Sequence, residues 1–221
     1  MGRQRIVRAA KVAIAAALIL ASVAVAVSAV PVDSAVAATR DVCPSGCSFT
    51  TIQAALDAAA SGDEISVGAG TYLERLTVPA VTPLSIVGAG ATTIIDAEAV
   101  GTALTVPAGV ELTVEAIVIS NGRTTENGGG ISNSGVLTLR NVDVSGNVAG
   151  NSGGGVWNQG TVLIEDSVIQ ANLAGDQTVG DRALGGAGIA SLGTSAAVTV
   201  RRSAIQQNRV YEPTTDFRGG G

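Results

Sequence analysis

Apolar and polar residues alternate in short segments through the second half of the chain. Leu137 and Leu139, followed by Val142 and Val144, show the period of two at which alternate side chains of a β-strand point to the same side. Gly and Asn lie between such segments and tolerate the positive φ angles of sharp turns. The pattern predicts short β-strands joined by tight turns, because no segment leaves room for a helix.

The alternating segments belong to a repeated unit. Gly-Gly-Gly-Ile-Ser-Asn at residues 128–133 returns 25 positions later as Gly-Gly-Gly-Val-Trp-Asn at residues 153–158, and a third copy with an insertion begins at Gly188. Repeats of this period bury their apolar side only against neighbouring repeats. The sequence therefore predicts an all-β fold, a parallel β-helix (β-solenoid) whose equivalent strands pair at a spacing of about 4.8 Å.

One amphipathic helix precedes the repeats. Thr50 or Thr51 suits the N-cap position, and Gly62 suits the residue that ends the helix. The apolar stripe comprises Ile52, Ala55, Leu56 and Ala59. A solenoid exposes the apolar cross-section of its first coil, so we expect this short N-terminal helix to cap that end.

The N-terminal segment has the pattern of a secretory signal. A basic stretch, Arg3–Lys11, precedes an apolar run, and Ala35-Val36-Ala37 supplies small residues for cleavage, with Val27-Ser28-Ala29 as a second candidate. The apolar run approaches the roughly 20 residues that span a bilayer, so an uncleaved anchor is the alternative. We predict a signal peptide at residues 1–37, a leader at residues 38–48, no membrane span after cleavage, and an extracellular or cell-surface location.

Cys43 and Cys47 are the only cysteines of the 221 residues. In an exported chain they favour a local disulfide that holds the segment before the first coil. A zinc or redox site is disfavoured, because the spacing is not Cys-x-x-Cys and the chain contains no His.

Charge narrows the range of partners. The formal net charge is −5, and four of the 13 basic residues lie in the predicted signal peptide. An acidic mature chain is unsuited to nucleic acid or to an anionic membrane, since both attract clustered Lys and Arg. We expect the partner to be an extracellular glycan or the surface of a host or neighbouring cell.

Motifs after the helix carry a resemblance to a known superfamily. Gly-Asp-x-Ile-x-Val at residues 62–67, Gly-Thr-Tyr-x-Glu at residues 70–74 and Ile-Val-Gly-x-Gly at residues 86–90 resemble the N-terminal coils of the pectin lyase-like right-handed parallel β-helices. The later repeats resemble those of polymorphic outer-membrane proteins and related bacterial surface proteins. Where that family has Phe, this chain has Val144, Ile169 and Ile205. The resemblance implies a right-handed parallel β-helix over residues 49–221.

The superfamily includes pectate lyases, polygalacturonases and pectin methylesterases. The chain has neither the Gln-x-x-x-Gln-Asp nor the Asp-Phe-Ile-Phe-Gly stretch of the esterases, and it has no His for the motif of the hydrolases. A lyase needs a cation, often calcium, and an Arg or Lys base. The candidates for these roles are Arg201 and Arg202 as the base and Asp143, Asp166, Asp176 and Asp181 as calcium ligands. No other cofactor is predicted.

A structural role accounts for several of these charges. When the strands are aligned in register, charges of alternating sign occupy one position of four coils, and each opposite pair stabilises strand pairing by roughly 0.2 to 1 kcal/mol. This charge ladder comprises Glu115, Arg140, Glu165 and Arg201. At the next position Asp166 meets Arg202. A separate asparagine column is expected to satisfy backbone groups at a turn. It comprises Asn147, Asn172 and Asn208.

Two polar loops and one aromatic residue suggest where a ligand binds. The insertion Gly175–Leu184 lengthens one coil, and the polar stretch Asn121–Asn127 precedes the first Gly triplet. Loops at one turn of a solenoid project from the same face, so the two could edge a groove. Trp157 follows the second triplet, and it is either a sugar platform or an aromatic residue packed on a turn.

We interpret the chain as a secreted or cell-surface β-helix repeat protein that acts as a binding, adhesion or structural module. The alternative is a calcium-assisted polysaccharide lyase or another pectin-active enzyme whose active coils are partly missing. The residues 218–221, Arg-Gly-Gly-Gly, resemble the opening of a further Gly triplet. Because terminal coils need a polar cover, we expect a β-helix truncated at its C-terminal end, or one whose open end pairs with another molecule.

Overall fold

The structure is a computed structural model that describes residues 36–175 and 185–211. The predicted signal peptide lies outside the described residues, apart from Val36 and Ala37. The described chain contains one helix, α1 (Ile52–Asp57), a short 3₁₀ turn at Gly90–Thr92, and strands that form four parallel sheets. No helix in this part of the chain combines the length and the apolar character needed to cross a bilayer.

The four sheets run along the length of the stack. Sheet A comprises β1 (Thr39–Val42), β2 (Glu64–Val67), β5 (Leu84–Val87), β8 (Glu111–Glu115), β12 (Val136–Arg140), β16 (Thr161–Glu165) and β20 (Ala197–Arg201). Sheet B comprises β3 (Gly70–Leu73), β6 (Thr93–Asp96), β9 (Val118–Ser120), β13 (Asp143–Ser145), β17 (Val168–Gln170) and β21 (Ala204–Gln206). Sheet C comprises β4 (Leu76–Thr77), β7 (Leu104–Val106), β11 (Ile131–Asn133), β15 (Val156–Asn158) and β19 (Ile189–Ser191). Sheet D comprises β10 (Arg123–Thr124), β14 (Val148–Ala149), β18 (Leu173–Ala174) and β22 (Arg209–Val210).

Each complete coil passes through sheets C, A, B and D in that order, as β11, β12, β13 and β14 show. Every coil then lies in parallel register on the previous one. Leu139 pairs with Ile164, and Ile164 pairs with Val200, so the three sequence repeats are successive coils. The prediction of an all-β, right-handed parallel β-helix is confirmed.

The interior of the stack is aliphatic because alternate side chains of each strand point inward. In β12 and β16 the inward residues Leu137, Leu139, Val162 and Ile164 are fully buried, whereas their neighbours reach the surface. Stacking places such residues above one another in continuous columns. Burial of a large aliphatic side chain contributes about 1.5 to 3 kcal/mol, so these columns supply the main stabilisation of a fold with few aromatic residues.

Helix α1 covers the first coil, as predicted for a capping helix. Ile52, Ala55 and Leu56 are completely buried in the same core as the strands. Thr51 is the N-cap and accepts a hydrogen bond from the Ala54 amide. The Glu74 carboxylate accepts from the amides of Ile52 at 2.8 Å and of Gln53 at 2.9 Å. The glutamate of the Gly-Thr-Tyr-x-Glu motif therefore fixes the helix to the first coil.

The helix ends earlier than the sequence predicted. Its last residue is Asp57 and its C-cap is Ala58, so Gly62 does not end the helix. The Asp63 carboxylate accepts a hydrogen bond from the Ala60 amide at 2.8 Å, which turns the chain away from the helix axis. Gly62, with a φ of 90°, completes that turn into β2.

Strand β1 lies in the segment that the sequence analysis treats as a leader. It pairs in parallel with β2, from Thr39 opposite Glu64 to Val42 opposite Val67, and so adds a strand to sheet A before helix α1. Cys43 and Cys47 follow this strand and form a disulfide, as predicted. The stack of strands thus begins at Thr39 and includes residues that precede the predicted start of the β-helix.

Asp63 holds the chain at this end of the stack. Its side chain is 2% exposed and accepts hydrogen bonds from the amides of Ala38 and Ala60, each at 2.8 Å. Arg40 donates from Nε and forms an ion pair with the same carboxylate at 2.8 Å. The backbone hydrogen bonds and the guanidinium hold the pKa of Asp63 below its ordinary value of 3.8, although burial opposes this shift.

Candidate functional site

A groove with a volume of about 410 Å³ lies beside Trp157 on the outer face of sheet C. Val156 and Asn158 point inward from β15, so Trp157 between them points outward and is partly exposed. Its register partners are Ser132 on one side and Ala190 on the other. Because both neighbours are small, the indole has no bulky residue beside it in its column. We call this region the Trp157 groove.

The polar wall of the Trp157 groove comes from the turn that leads into sheet C. Asn127, Ser152 and Gly185 occupy the same position of three successive coils, since they precede β11, β15 and β19 by the same distance and these strands pair in register. Asn151 adds a second amide, and Leu192, which is 65% exposed, adds an apolar side. One aromatic side chain, the partly exposed amides of Asn127 and Asn151, and an apolar rim therefore line one depression, and Ser152 is buried beneath it.

The structure brings together several features that the sequence analysis suggested. Asn127, the last residue of the polar stretch Asn121–Asn127, lines the groove, as do Trp157 and Gly185–Gly186, which directly follow the insertion Gly175–Leu184. Residues 176–184 of that insertion lie outside the described residues. Trp157 faces outward, is partly exposed and lines the groove, and its role as a sugar platform stays a prediction. None of the described residues that line the groove is charged.

The asparagine column forms a continuous ladder at the turn between sheets B and D. Asn147, Asn172 and Asn208 lie above one another, and Asn147 and Asn172 are almost completely buried. The Asn172 carbonyl accepts from the backbone amide and Nδ2 of Asn147, and the Asn208 carbonyl accepts in the same way from Asn172, all at 3.0 Å. The ladder satisfies buried amides at a turn, where no strand supplies a partner.

The asparagine ladder also explains the third glycine of each triplet. A Cβ on Gly130 would lie 2.8 Å from Nδ2 of Asn147, and a Cβ on Gly155 would lie 2.9 Å from Nδ2 of Asn172. Real Cβ atoms do not approach other heavy atoms this closely, so any side chain here would displace the ladder. The Gly triplet and the later Asn of each repeat are therefore two parts of one packing arrangement.

A second ladder was missed by the sequence analysis. Asn133 donates from Nδ2 to Oδ1 of Asn158 at 2.7 Å, and Asn158 donates to Oγ of Ser191 at 3.1 Å. Asn133 and Asn158 are fully buried and turn the chain from sheet C into sheet A. The signal was present in the sequence, because both residues end the hexapeptides that repeat at residues 128–133 and 153–158.

The charge ladder lies in register on sheet A. Glu115, Arg140, Glu165 and Arg201 are successive partners. Arg140 pairs with Glu165 at 3.3 Å and Arg201 pairs with Glu165 at 3.5 Å, so the carboxylate of Glu165 lies between two guanidinium groups. Within the described residues the ion pairs of this column centre on Glu165, and Arg140 is directed towards Glu165 and not towards Glu115.

The column beside the charge ladder contains one bidentate ion pair. Arg202 donates from Nε to Oδ1 of Asp166 at 2.7 Å and from Nη2 to Oδ2 at 2.8 Å. These hydrogen bonds lower the pKa of Asp166 and raise the pKa of Arg202. Both side chains are exposed, so the pair contributes little to stability. Arg202, a candidate base, and Asp166, a candidate calcium ligand, are therefore bound to each other.

The remaining calcium candidates do not converge with Asp166 in the described part of the chain. One oxygen of Asp143 accepts from Nε2 of Gln170 at 2.9 Å, whereas its Oδ1 is buried and has no hydrogen-bond partner. Asp176 and Asp181 lie outside the described residues. Among the described residues no group of three or more His, Cys, Asp or Glu side chains is arranged to hold a metal ion.

Only the comparison with solved structures found proteins similar to this chain. No protein-family model and no curated protein sequence matches it. A pectin methylesterase in complex with a hexasaccharide is similar, with a TM-score of 0.49 and 16% identity over 76% of this chain and 66% of that one. Two forms of the pectin methylesterase from Aspergillus niger are also similar. The first has a TM-score of 0.37 and 17% identity, and the match covers 75% of this chain and 75% of that one. The second has a TM-score of 0.33 and 15% identity, and the match covers 76% of this chain and 85% of that one. The chain thus spans slightly less than two thirds of the length of the first of these enzymes.

Proposed function

We propose that this protein is a secreted or cell-surface β-helix that binds a neutral extracellular glycan in the Trp157 groove. The observation that carries the proposal is the combination of one outward-facing indole with the partly exposed amides of Asn127 and Asn151 in a single depression. Sugars present an apolar face of C–H groups and a rim of hydroxyls. An aromatic ring packs on such a face, and amide and hydroxyl side chains bond the rim.

The size and charge of the groove bear on the class of ligand. Its volume of about 410 Å³ lies within the range of about 300 to 1,000 Å³ that is usual for small-ligand sites. The described lining carries no cationic group that would neutralise the carboxylates of an acidic polysaccharide. This absence in the described lining favours a neutral sugar over a polyuronate.

Other features support an extracellular setting for this function. The N-terminal sequence has the pattern of a secretory signal, and the disulfide between Cys43 and Cys47 fits an oxidising compartment. The rigid stack of coils suits a display role, because a groove built on paired strands keeps its geometry without a ligand.

The chain offers a direct spectroscopic test, since Trp157 is its only tryptophan. Titration with neutral oligosaccharides of cellulose, xylan, mannan and chitin should change the emission of Trp157 for at least one of them. The variant Trp157→Ala, assayed by calorimetry, should bind that sugar at least about tenfold more weakly. Trp157→Phe should retain part of the affinity, and Asn127→Ala should weaken binding without altering the fold.

Two results would overturn the proposal. One is that no neutral sugar binds in a Trp157-dependent way. The other is the enzymatic alternative, which stays a prediction: the protein would cleave polygalacturonate in the presence of calcium with a rise in ultraviolet absorbance, and Arg201→Ala or Arg202→Ala would abolish that activity. The two experiments use different residues, so they distinguish binding from catalysis.

A further inference from the structure

The chain just before β1 contains the bond that cleavage of the predicted signal peptide would break. Ala35 and Ala37 lie three residues and one residue before the bond between Ala37 and Ala38, where signal peptidase requires small side chains. Residues 36–38 are exposed. The described strands and the helix all begin at or after Thr39, so a chain that starts at Ala38 retains every one of them.

The backbone nitrogen of Ala38 already contacts a buried carboxylate. It donates a hydrogen bond to Oδ1 of Asp63 at 2.8 Å, and the side chain of Asp63 is 2% exposed. Arg40 and the amide of Ala60 both bond to the other oxygen, Oδ2. Among the described residues, Oδ1 therefore accepts from Ala38 alone, although a carboxylate oxygen can accept more than one hydrogen bond.

Cleavage at this bond would change the charge of that donor. Hydrolysis breaks the C–N bond between Ala37 and Ala38, and water supplies the oxygen of the new carboxylate on Ala37 and the hydrogen that the nitrogen gains. The nitrogen of Ala38 then takes up a further proton and becomes an α-ammonium group, which carries a positive charge at neutral pH. A hydrogen bond between two ionised groups is roughly twice as strong as one between neutral groups.

We propose that cleavage after Ala37 creates an ion pair between the α-ammonium of Ala38 and the buried carboxylate of Asp63, which fixes β1 to the stack. The geometry favours this processing site over the second candidate, because cleavage after Ala29 would leave Ala38 as a neutral internal amide. The proposal rests on the secretory setting of the proposed function but not on glycan binding. Failure of the sugar titration would therefore leave it unaffected.

The charges around this position can accommodate the new cation. Arg40 lies on the same strand and binds Oδ2 of Asp63, so the two cations bond to different oxygens of the carboxylate. Glu64 follows Asp63 in the chain, is exposed and supplies a second negative charge. The carboxylate of Asp57, at the end of α1, accepts a hydrogen bond from Gln53. Two acids and two cations thus meet at the start of the stack.

The composition of the processed chain provides a direct test. From Ala38 onward the sequence contains no Lys and no His, so the α-amine is its only primary amine and the only group with an ordinary pKa near 8. The full chain is exported from a secreting host, and the intact mass of the product should correspond to a start at Ala38. The rate of acetylation by an N-hydroxysuccinimide ester, measured against pH, then gives the pKa of this amine.

We expect the ion pair to raise the pKa of the α-ammonium above that of the free peptide of residues 38–41. Acetylation at about pH 8 should then be at least about tenfold slower in the folded protein than in the peptide. Burial without an ion pair would lower the pKa, because loss of solvent disfavours the charged form. The direction of the shift therefore distinguishes the ion pair from simple shielding.

The acetylated protein is the matched control for stability. Processed protein that is acetylated in urea and then refolded lacks the terminal charge but keeps the neutral amide of Ala38. It should unfold at a lower urea concentration than unmodified protein at about pH 7. A raised folded pKa contributes stability below the unfolded value of about 7.7 to 8.0, and this contribution is lost as the pH rises through the folded pKa. The difference should therefore shrink above about pH 8.

The variant Asp63→Asn should abolish the difference between the acetylated and unmodified forms, and the comparison of those forms in the parent protein stands even if this variant does not fold. Three results would overturn the proposal. The first is an exported chain that starts at Val30 or is not cleaved. The second is an α-amine whose pKa is no higher than that of the peptide. The third is the same urea midpoint for acetylated and unmodified protein at about pH 7.

Discussion

The side-chain carbonyl of Asn172 accepts hydrogen bonds from both the backbone amide and the side-chain amide of Asn147, each at 3.0 Å. The Nδ2 group of Asn172 in turn donates to the carbonyl of Val144 at 2.9 Å and to Oδ1 of Asn208 at 3.0 Å. One buried side chain therefore joins three coils. We therefore expect the asparagine ladder to contribute to the free energy of unfolding.

Asn172→Ala should lower the free energy of unfolding by about 3 kcal/mol, because a buried amide left without an acceptor costs about 1 to 3 kcal/mol and more than one group is affected. Urea denaturation followed by circular dichroism measures the change. Gln159→Ala is the matched control, since Gln159 is exposed and, among the described side chains, contacts Ser134 at 3.5 Å. A loss below about 0.5 kcal/mol for Asn172→Ala, equal to that of the control, would show that the ladder is not stabilising.

Gly155→Ala should disrupt the same ladder from the other side. The added methyl would lie 2.9 Å from Nδ2 of Asn172 and 2.6 Å from the carbonyl oxygen of Gly188, so the coil must shift at a cost of about 1 to 3 kcal/mol. Gly68→Ala is the control, because its Cβ would meet only ordinary contacts at 3.4 Å. Similar melting temperatures for the two variants would contradict the packing role of the triplet.

Asp63→Asn should destabilise the protein by about 1 to 3 kcal/mol at neutral pH, because the buried site loses the charge that Arg40 and two amides bind. The pKa of Asp63 is lowered in the folded state. A lowered folded pKa contributes stability above the unfolded value near 3.8, and that contribution is lost as the pH falls through the folded pKa. The difference between parent and variant in urea denaturation should therefore be constant from pH 6 to 8 and shrink below about pH 4. A difference that does not depend on pH would refute this role of the charge.

Glu74→Ala should release helix α1 from the first coil. The amides of Ile52 and Gln53 lose their acceptors, and removal of a helix cap costs about 0.5 to 2 kcal/mol. Hydrogen exchange of these two amides should accelerate by at least about tenfold, while exchange in β12 and β16 stays unchanged. Glu64→Ala, at an exposed position of β2, is the control and should leave the helix amides protected.

The fold was predictable because one period in the sequence determines one coil in space. The repeats at residues 128–133 and 153–158 required equivalent residues to stack, and the register of β11 with β15 follows from that requirement. The position of the Trp157 groove was predictable for the same reason, since residues at one position of the repeat lie on one face.

Turn conformations and the details of the first coil were less predictable. Ala116 and Arg202 adopt φ angles of 56° and 48°, at the position where Asn141 has 51°. Such positive φ angles are disfavoured for Ala and Arg and are imposed by the stacked strands on either side. The early end of α1 likewise depends on Asp63 and Ala60, whose contact exists only after the chain has turned.

The asparagine ladder has the same geometry whether the two residues it joins are 25 or 36 positions apart. Asn147 and Asn172 belong to repeats of the basic length, and Asn172 and Asn208 are separated by the insertion, yet both pairs bond at 3.0 Å. The scaffold therefore accommodates extra residues between two of its coils without a change in how those coils bond to each other. Such a protein can acquire a new binding preference by changing one loop, and it can serve in the laboratory as a frame onto which foreign loops are grafted.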